Sequence, residues 1–412
     1  MKKIFQAFLC VFVLITNGFS QTWVEKTNMP TAGRMSAISF TINGKAYVGL
    51  GRLTDGYTLN DLWEYVPASD SASKNDFRNH GSDTWIRKSD YPGIGLYAST
   101  SFSINGKGYV CLGGDNYGNG QSDLWEYNPI LDSWTQKANF PGMPRYGASC
   151  FVIGDTAFIG TGSYNNPDDY LTDFWMYIPA TDTWVQINDF PGGHRCHATA
   201  FSIGEYGYVG TGLADMYTAT KDIWRYNKQN NLWMEVQVFP DSRMGTVSFV
   251  LNGKGYIGTG YDFANKLNDF YEYNPVTNWW TLLQMTGELP IRHAAVSFVL
   301  DNNFYVATGE ADTPNTLNDL WTSNYITGND DYKENNDIIL FPNPSENELN
   351  VQVSGGLGIT RLIIRDLGGQ ELLTQTITDN KAILDISNFT KGIYFVELSN
   401  KEFLKVRKII KE

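Results

Sequence analysis

Cysteine is scarce in this chain, with four in 412 residues, and Cys10 lies in an apolar stretch close to the start. The other three, Cys111, Cys150 and Cys196, are an odd number without paired spacing, which excludes a disulfide framework and a metal knuckle. Each falls in a predicted inner strand, where a free cysteine is a small buried hydrophobe. Basic residues are also few: 31 against 44 acidic, a net charge of −13. Residues 21–336 hold 20 basic and 34 acidic side chains, a net −14, and such a surface repels nucleic acid and anionic membrane. Past residue 20 no apolar run reaches the roughly 18–20 residues of a membrane span. Histidine numbers only four. His194, His197 and His293 stand without carboxylates in register, so neither a metal nor a cofactor is expected.

What the chain has in abundance is repetition. Residues 123–134 read D-L-W-E-Y-N-P-I-L-D-S-W, and the leading frame returns at Asp61, Asp173, Asp222, Asp269 and Asp319, in steps of 62, 50, 49, 47 and 50. A period near 50 made of short strands predicts a closed ring of small sheets. Each unit resolves into four strands, with Asn-Gly hairpin turns at Asn43-Gly44, Asn105-Gly106 and Asn252-Gly253. Tyr and Trp stand seven apart at 127/134, 177/184, 226/233 and 273/280, bracketing the second tight turn and suited to packing between neighbouring blades. The sixth unit lacks its closing Trp strand. Trp23 to Pro30 repeats the spacing of Trp134 to Pro141 and Trp184 to Pro191, so the N-terminal segment is expected to supply that strand and pair the open edge.

These residues resemble kelch repeats over about residues 23–325. One departure is the glycine doublet, full only at Gly113-Gly114; elsewhere the pair is Leu50-Gly51, Thr161-Gly162, Thr211-Gly212, Thr259-Gly260 or Thr308-Gly309. The resemblance implies an all-β, six-bladed propeller and assigns no chemistry, because the fold serves many functions. Lys2, Lys3, the apolar run Ile4 to Ile15 and Gly18-Phe19-Ser20 read as a signal peptide over residues 1–20, with cleavage expected after Ser20. The propeller then spans 21–326, a polar linker 327–336, and a small β-sandwich 337–412. In that last part Phe341-Pro342-Asn343-Pro344, Asp366-Leu367-Gly368-Gly369, Lys391 to Phe395 and Lys405 to Lys411 resemble, in order, the type A sorting domain of type IX secretion in Bacteroidetes. That likeness implies export across the outer membrane through residues 337–412, leaving the protein extracellular or on the cell surface.

Topology selects one face. In an up-and-down blade the entry to the first strand and the loop between the second and third lie on the same side. Arg34, Arg145, Arg195, Arg243 and Arg292 stand at that entry, with Leu96 in the second unit. In kelch propellers that bind acidic peptides, arginines at this position contact ligand; pairing with a carboxylate or carbonyl of the adjacent blade is the alternative. The neighbouring loops carry Tyr57, Tyr117, Tyr164, Tyr217, Tyr261 and Glu310, suited to extracellular carbohydrate or protein. A binding module is expected. The other reading, from resemblance to sialic acid mutarotases, is a sugar mutarotase or epimerase in which Glu310 or His197 moves a proton. A site like that of galactose oxidase cannot be placed on these residues.

Overall fold

Alternation of apolar and polar residues sets the strands, and the computed structural model places them in nine sheets, six of which are propeller blades. It describes residues 21–324 and 338–411, apart from 69–82, 165–168, 313–314, 342–344, 354–359, 367–369, 378–380 and 400–403. The expected signal peptide and linker, Asn165-Asn166, Pro342 to Pro344 and Leu367 to Gly369 therefore lie outside the described residues. The chain divides into two units, with the division at Tyr325/Ile326.

In the first unit, blade 1 runs Ile38–Ile42, Lys45–Gly49, Leu62–Val66 and Thr84–Lys88, each strand antiparallel to the next. Blade 3 repeats it as Ser149–Ile153, Thr156–Gly160, Phe174–Ile178 and Thr183–Ile187. The first strand of every blade is innermost and lines a central channel. Its side chains there are short: Ser39, Ser101, Cys150 and Ser297. Cys111 instead ends a second strand and Cys196 precedes a first strand, so only Cys150 of the three thiols stands on an innermost strand.

Blades adhere through aromatic rings. Within a blade the first two strands stack one ring on another, Phe40 on Tyr47 at 5.2 Å and Phe102 on Tyr109 at 4.8 Å. The third-strand tyrosine of the next blade then meets that pair edge-on, Tyr127 against Tyr47 at 5.6 Å and Tyr177 against Tyr109 at 6.1 Å. The Phe40 ring lies so close to the next blade that a Cβ on Gly108 would fall 2.3 Å from it, and glycine is required there. Tyr and Trp seven apart are direct cross-strand partners, as in Tyr127↔Trp134. The indole then reaches out of its blade: Trp134 Nε1 donates to Ser89 O at 2.9 Å and Trp184 Nε1 to Ala138 O at 2.8 Å.

Closure follows the sequence expectation. Gln21–Glu25 pairs antiparallel with Leu320–Asn324 through Trp23↔Ser323, Val24↔Thr322 and Glu25↔Trp321, completing blade 6. Trp23 is buried between Phe270 at 5.3 Å and Phe304 at 5.2 Å.

The second unit is a two-sheet sandwich. Ile338–Phe341, Glu348–Val353 and Lys381–Asp385 form one sheet; Thr360–Arg365, Glu371–Ile377, Gly392–Ser399 and Leu404–Lys411 form the other. Leu349, Val351, Leu362, Ile364 and Val396 fill the space between them.

Removing Trp23 to Lys26 re-opens the edge of blade 6 and empties the indole site. The loss is about 3–5 kcal/mol, the usual cost of truncating a buried Trp, read as a lower midpoint in thermal or urea melts. An unchanged midpoint would show that the ring does not depend on this strand.

Candidate functional site

Each of the five repeated arginines starts an inner strand and is buried, 0–1% exposed. Arg145 Nη1 and Nη2 reach Asp173 Oδ1 and Oδ2 at 2.6 and 2.9 Å, and Nη1 also donates to Thr161 O at 3.0 Å. Arg34–Asp61, Arg195–Asp222, Arg243–Asp269 and Arg292–Asp319 repeat the pairing. The acceptor is the aspartate that opens the D-x-W frame, and the tryptophan two residues on shares it: Trp63, Trp175, Trp224 and Trp321 donate Nε1 to Oδ2 at 2.7–2.8 Å. The expectation that these arginines meet ligand is therefore corrected. Their forks are occupied by carboxylates, and the partner belongs to the same blade rather than the adjacent one. Blade 2 lacks the device: Leu96 replaces the arginine, and Trp125 Nε1 is buried without a partner.

The backbone of the same residues joins the blades. The carbonyl of Arg34, Leu96, Arg145, Arg195, Arg243 or Arg292 accepts the N–H of Gly309, Gly51, Gly113, Gly162, Gly212 or Gly260 of the preceding blade, at 2.7–2.9 Å. Two residues further on, Ser36, Ala98, Gly147, His197, Gly245 and Ala294 all have positive φ, 49–62°. Their amides donate in turn to the carbonyl of the corresponding residue one blade back, a closed circuit of six hydrogen bonds at 2.7–3.3 Å. Five of the six side chains are small, so the circuit encloses a narrow mouth of about 130 Å³ into which His197 projects. Histidine is among the residues that tolerate this backbone region.

The residues between the strut and the circuit face the loops. Met35, Tyr97, Tyr146, Cys196, Met244 and His293 bridge respectively to Arg52, Gly114, Ser163, Leu213, Tyr261 and Glu310, just past each blade's conserved-position glycine in the repeat. Two arcs result. In one, the Arg52 guanidinium lies 5.3 Å over Tyr97, Tyr97 is 5.4 Å from Tyr146, and Tyr146 is 6.3 Å from His197. In the other, Tyr261 is 5.7 Å from His293, whose Nε2 is 3.7 Å from Glu310 Oε2, while Lys266 Nζ is 3.0 Å from Glu310 Oε1. His293 Nδ1 is buried without a partner.

Burial sets the protonation here. It pushes the Tyr97 phenol up to about 12, with Tyr146 adding to the effect and Arg52 opposing it. Burial, and then the charge of His293, pushes His197 down to about 4. Burial lowers His293 as well, Lys266 in the same direction and Glu310 against it. The His197 imidazole is therefore neutral at pH 7, and burial biases His293 towards its neutral form.

Of the residues expected at the site, His197 lines the mouth, while Tyr261 and Glu310 lie one step outward as bridge partners of Met244 and His293. Tyr117 and Tyr217 stand apart at loop tips, 89% and 78% exposed, and Tyr164 is half-buried on the loop of blade 3. His194 is exposed and lines an outer depression with Met143 and Leu171. Arg52, Tyr97, Tyr146 and Lys266 were not anticipated. Their signal was positional: Tyr97 and Tyr146 follow the strut position, and Arg52 follows the glycine, by one residue. Among the described residues no group of three His, Cys, Asp or Glu side chains could hold a metal.

Comparison with known proteins agrees with this architecture. Residues 339–412 match the family described as Secretion system C-terminal sorting domain. The solved structure titled Structure of YjhT is similar in fold, with a TM-score of 0.58 and 18% identity, covering 72% of this chain and 96% of that one. Human Kelch-like protein 6 is 32% identical over 60 residues, 15% of this chain and 10% of that protein. The chain thus has a six-bladed propeller fold, followed by a segment that matches the secretion sorting-domain family. The sorting tail directs export to the cell surface or the extracellular space, and among the described residues no helix is long and apolar enough to cross a membrane.

Two outcomes follow for the kelch ring. Asp173→Asn leaves the Arg145 guanidinium buried without its counter-charge and costs about 3–5 kcal/mol in urea melts, whereas Asp123→Asn in the strut-free blade 2 stays within about 1 kcal/mol. Equal losses would deny the pair its structural role. For His197, the unfolded imidazole takes up its proton near 6.5 and the folded one near 4. Its contribution is complete above pH 6.5 and is lost as pH falls towards 4, by about 3 kcal/mol at most. His197→Asn, which also tolerates positive φ, should flatten the decline in melting temperature between pH 6.5 and 4; an unaltered profile would place the acid sensitivity elsewhere.

Proposed function

We propose that this protein is a secreted binding module that takes extracellular glycan over the channel mouth of its loop face. The observation that carries the reading is the arc Arg52–Tyr97–Tyr146–His197, a continuous run of planar groups 5.3–6.3 Å apart beside a mouth of otherwise small side chains. Such an arc supplies faces for the apolar side of a sugar ring and edges for its hydroxyls. Tyr261, His293, Glu310 and Lys266 supply polar groups from the other side of the mouth. The exposed rings of Tyr117 and Tyr217 and the half-buried ring of Tyr164, on the surrounding loops, offer further contacts.

One contact favours a second reading, a sugar mutarotase or epimerase. His293 is biased by burial towards its neutral form and stands 3.7 Å from a carboxylate, with a buried free Nδ1, an arrangement in which an imidazole accepts and returns a proton.

The two readings separate in one set of experiments on the mature protein. A glycan array with thermal-shift follow-up should find sugar ligands, and Tyr146→Ala should weaken them about tenfold, a loss near 1.4 kcal/mol, without lowering the melting temperature by more than a few degrees. Binding of extracellular protein alone, with no glycan, would overturn the reading. NMR of anomeric exchange decides the alternative: exchange faster than in buffer, and lost in His293→Ala, assigns catalysis to this site.

A further inference from the structure

Outside the mouth, the loops of blades 1 and 2 enclose a groove of about 320 Å³ lined by Arg52, Asp55, Gly56, Tyr57, Asn116 and Tyr117. The two loops share one build. Asp55 Oδ1 accepts the Tyr57 amide at 3.1 Å, and Asp115 Oδ1 accepts the amides of Tyr117 at 2.8 Å and Asn119 at 2.9 Å. They are also tied to each other: Asn116 Oδ1 accepts the Thr58 amide at 2.6 Å and the Thr58 hydroxyl at 2.8 Å. The groove is thus held open by its own hydrogen bonds. It presents two tyrosine rings that are 67% and 89% exposed.

Arg52 forms the inner wall. Its Nε donates to Gly56 O at 3.1 Å and its plane lies over Tyr97, but among the described residues no carboxylate is in ion-pair range of it. The five strut arginines are committed to aspartates, so this fork differs from them in being free for a ligand. A free guanidinium between aromatic faces recognises a planar or tetrahedral anion while sugar rings lie on the tyrosines. The volume falls at the small end of ligand pockets, about 300–1,000 Å³.

We propose that this groove is an outer carbohydrate subsite, and that the ligand is an oligosaccharide bearing a carboxylate or sulfate, running from the mouth past Arg52 and out between Tyr57 and Tyr117. This rests on the glycan reading of the mouth and adds the length and charge of the ligand. A single acidic group, rather than a polyanion, suits a propeller whose residues 21–326 carry 19 basic and 31 acidic side chains, a net −12.

The test uses the mature protein and graded oligosaccharides of one to six units in neutral, carboxylated and sulfated series. Acidic oligomers of three or more units should bind at least tenfold tighter than the matching monosaccharide and the neutral oligomer. The carboxylated and sulfated arms decide which anion is preferred. Tyr57→Ala combined with Tyr117→Ala should remove that gain of length, about tenfold, and Arg52→Gln the gain of charge, about ten- to a hundredfold, with melting temperatures unchanged. Monosaccharides binding as tightly as oligomers, or a double tyrosine variant with normal affinity, overturns the groove while leaving the mouth intact. About tenfold weakening in Tyr146→Ala together with the groove effects supports both sites, and no glycan binding of any length overturns both.

Discussion

A buried ion pair repeated in five blades governs this propeller. Burial alone would raise the carboxyls of Asp61 and Asp173; the hydrogen bonds and charge of Arg34 and Arg145 outweigh it and hold both below the ordinary carboxylate range. Such a pair adds little net stability compared with an apolar replacement, but it fixes geometry. It clamps the entry to the inner strand onto the loop before the third strand, and the indole of the D-x-W frame completes the carboxylate's shell. The glycine of the preceding blade can then donate to a carbonyl whose position is set.

With the strut side chain turned into its own blade, the backbone two residues later bends inward at positive φ and closes the circuit around the channel. The intervening residue is left facing the loops. That is why the proposed site draws on Tyr97, Tyr146 and His293 rather than on the arginines: the repeat turns one residue into the blade, presents the next, and uses the third for closure. The presented position differs between units, carrying Met35, Tyr97, Tyr146, Cys196, Met244 and His293.

Blade number, strand order, N-terminal closure and the sandwich were legible in the sequence because they follow from period and alternation. Glu371–Ile377 was not, since it is a largely exposed edge strand with no apolar alternation to betray it. Ile338–Phe341 was missed because four residues give too short a run. The arginines were placed correctly and assigned wrongly. A sequence locates a residue on an element, but its direction depends on what lies opposite, and here the constant distance to an aspartate 26–28 positions later held the answer. Blade 2, which keeps Asp123 but has Leu96, hid the rule by breaking it. Arg52 and Lys266 occur in single blades, and a reading built on recurrence passes over them.

Blade 6 is completed across the whole length of the propeller unit. Its two pairing segments, Gln21–Glu25 and Leu320–Asn324, stand at the two ends of the propeller unit, some 300 residues apart. The entropic cost of joining such distant ends grows only slowly with length, about 0.6 kcal/mol per doubling. Without Leu320–Asn324, Gln21–Glu25 has no third strand to pair with, and blade 6 lacks its outer half. Completion of blade 6 therefore needs both ends of the propeller unit at once.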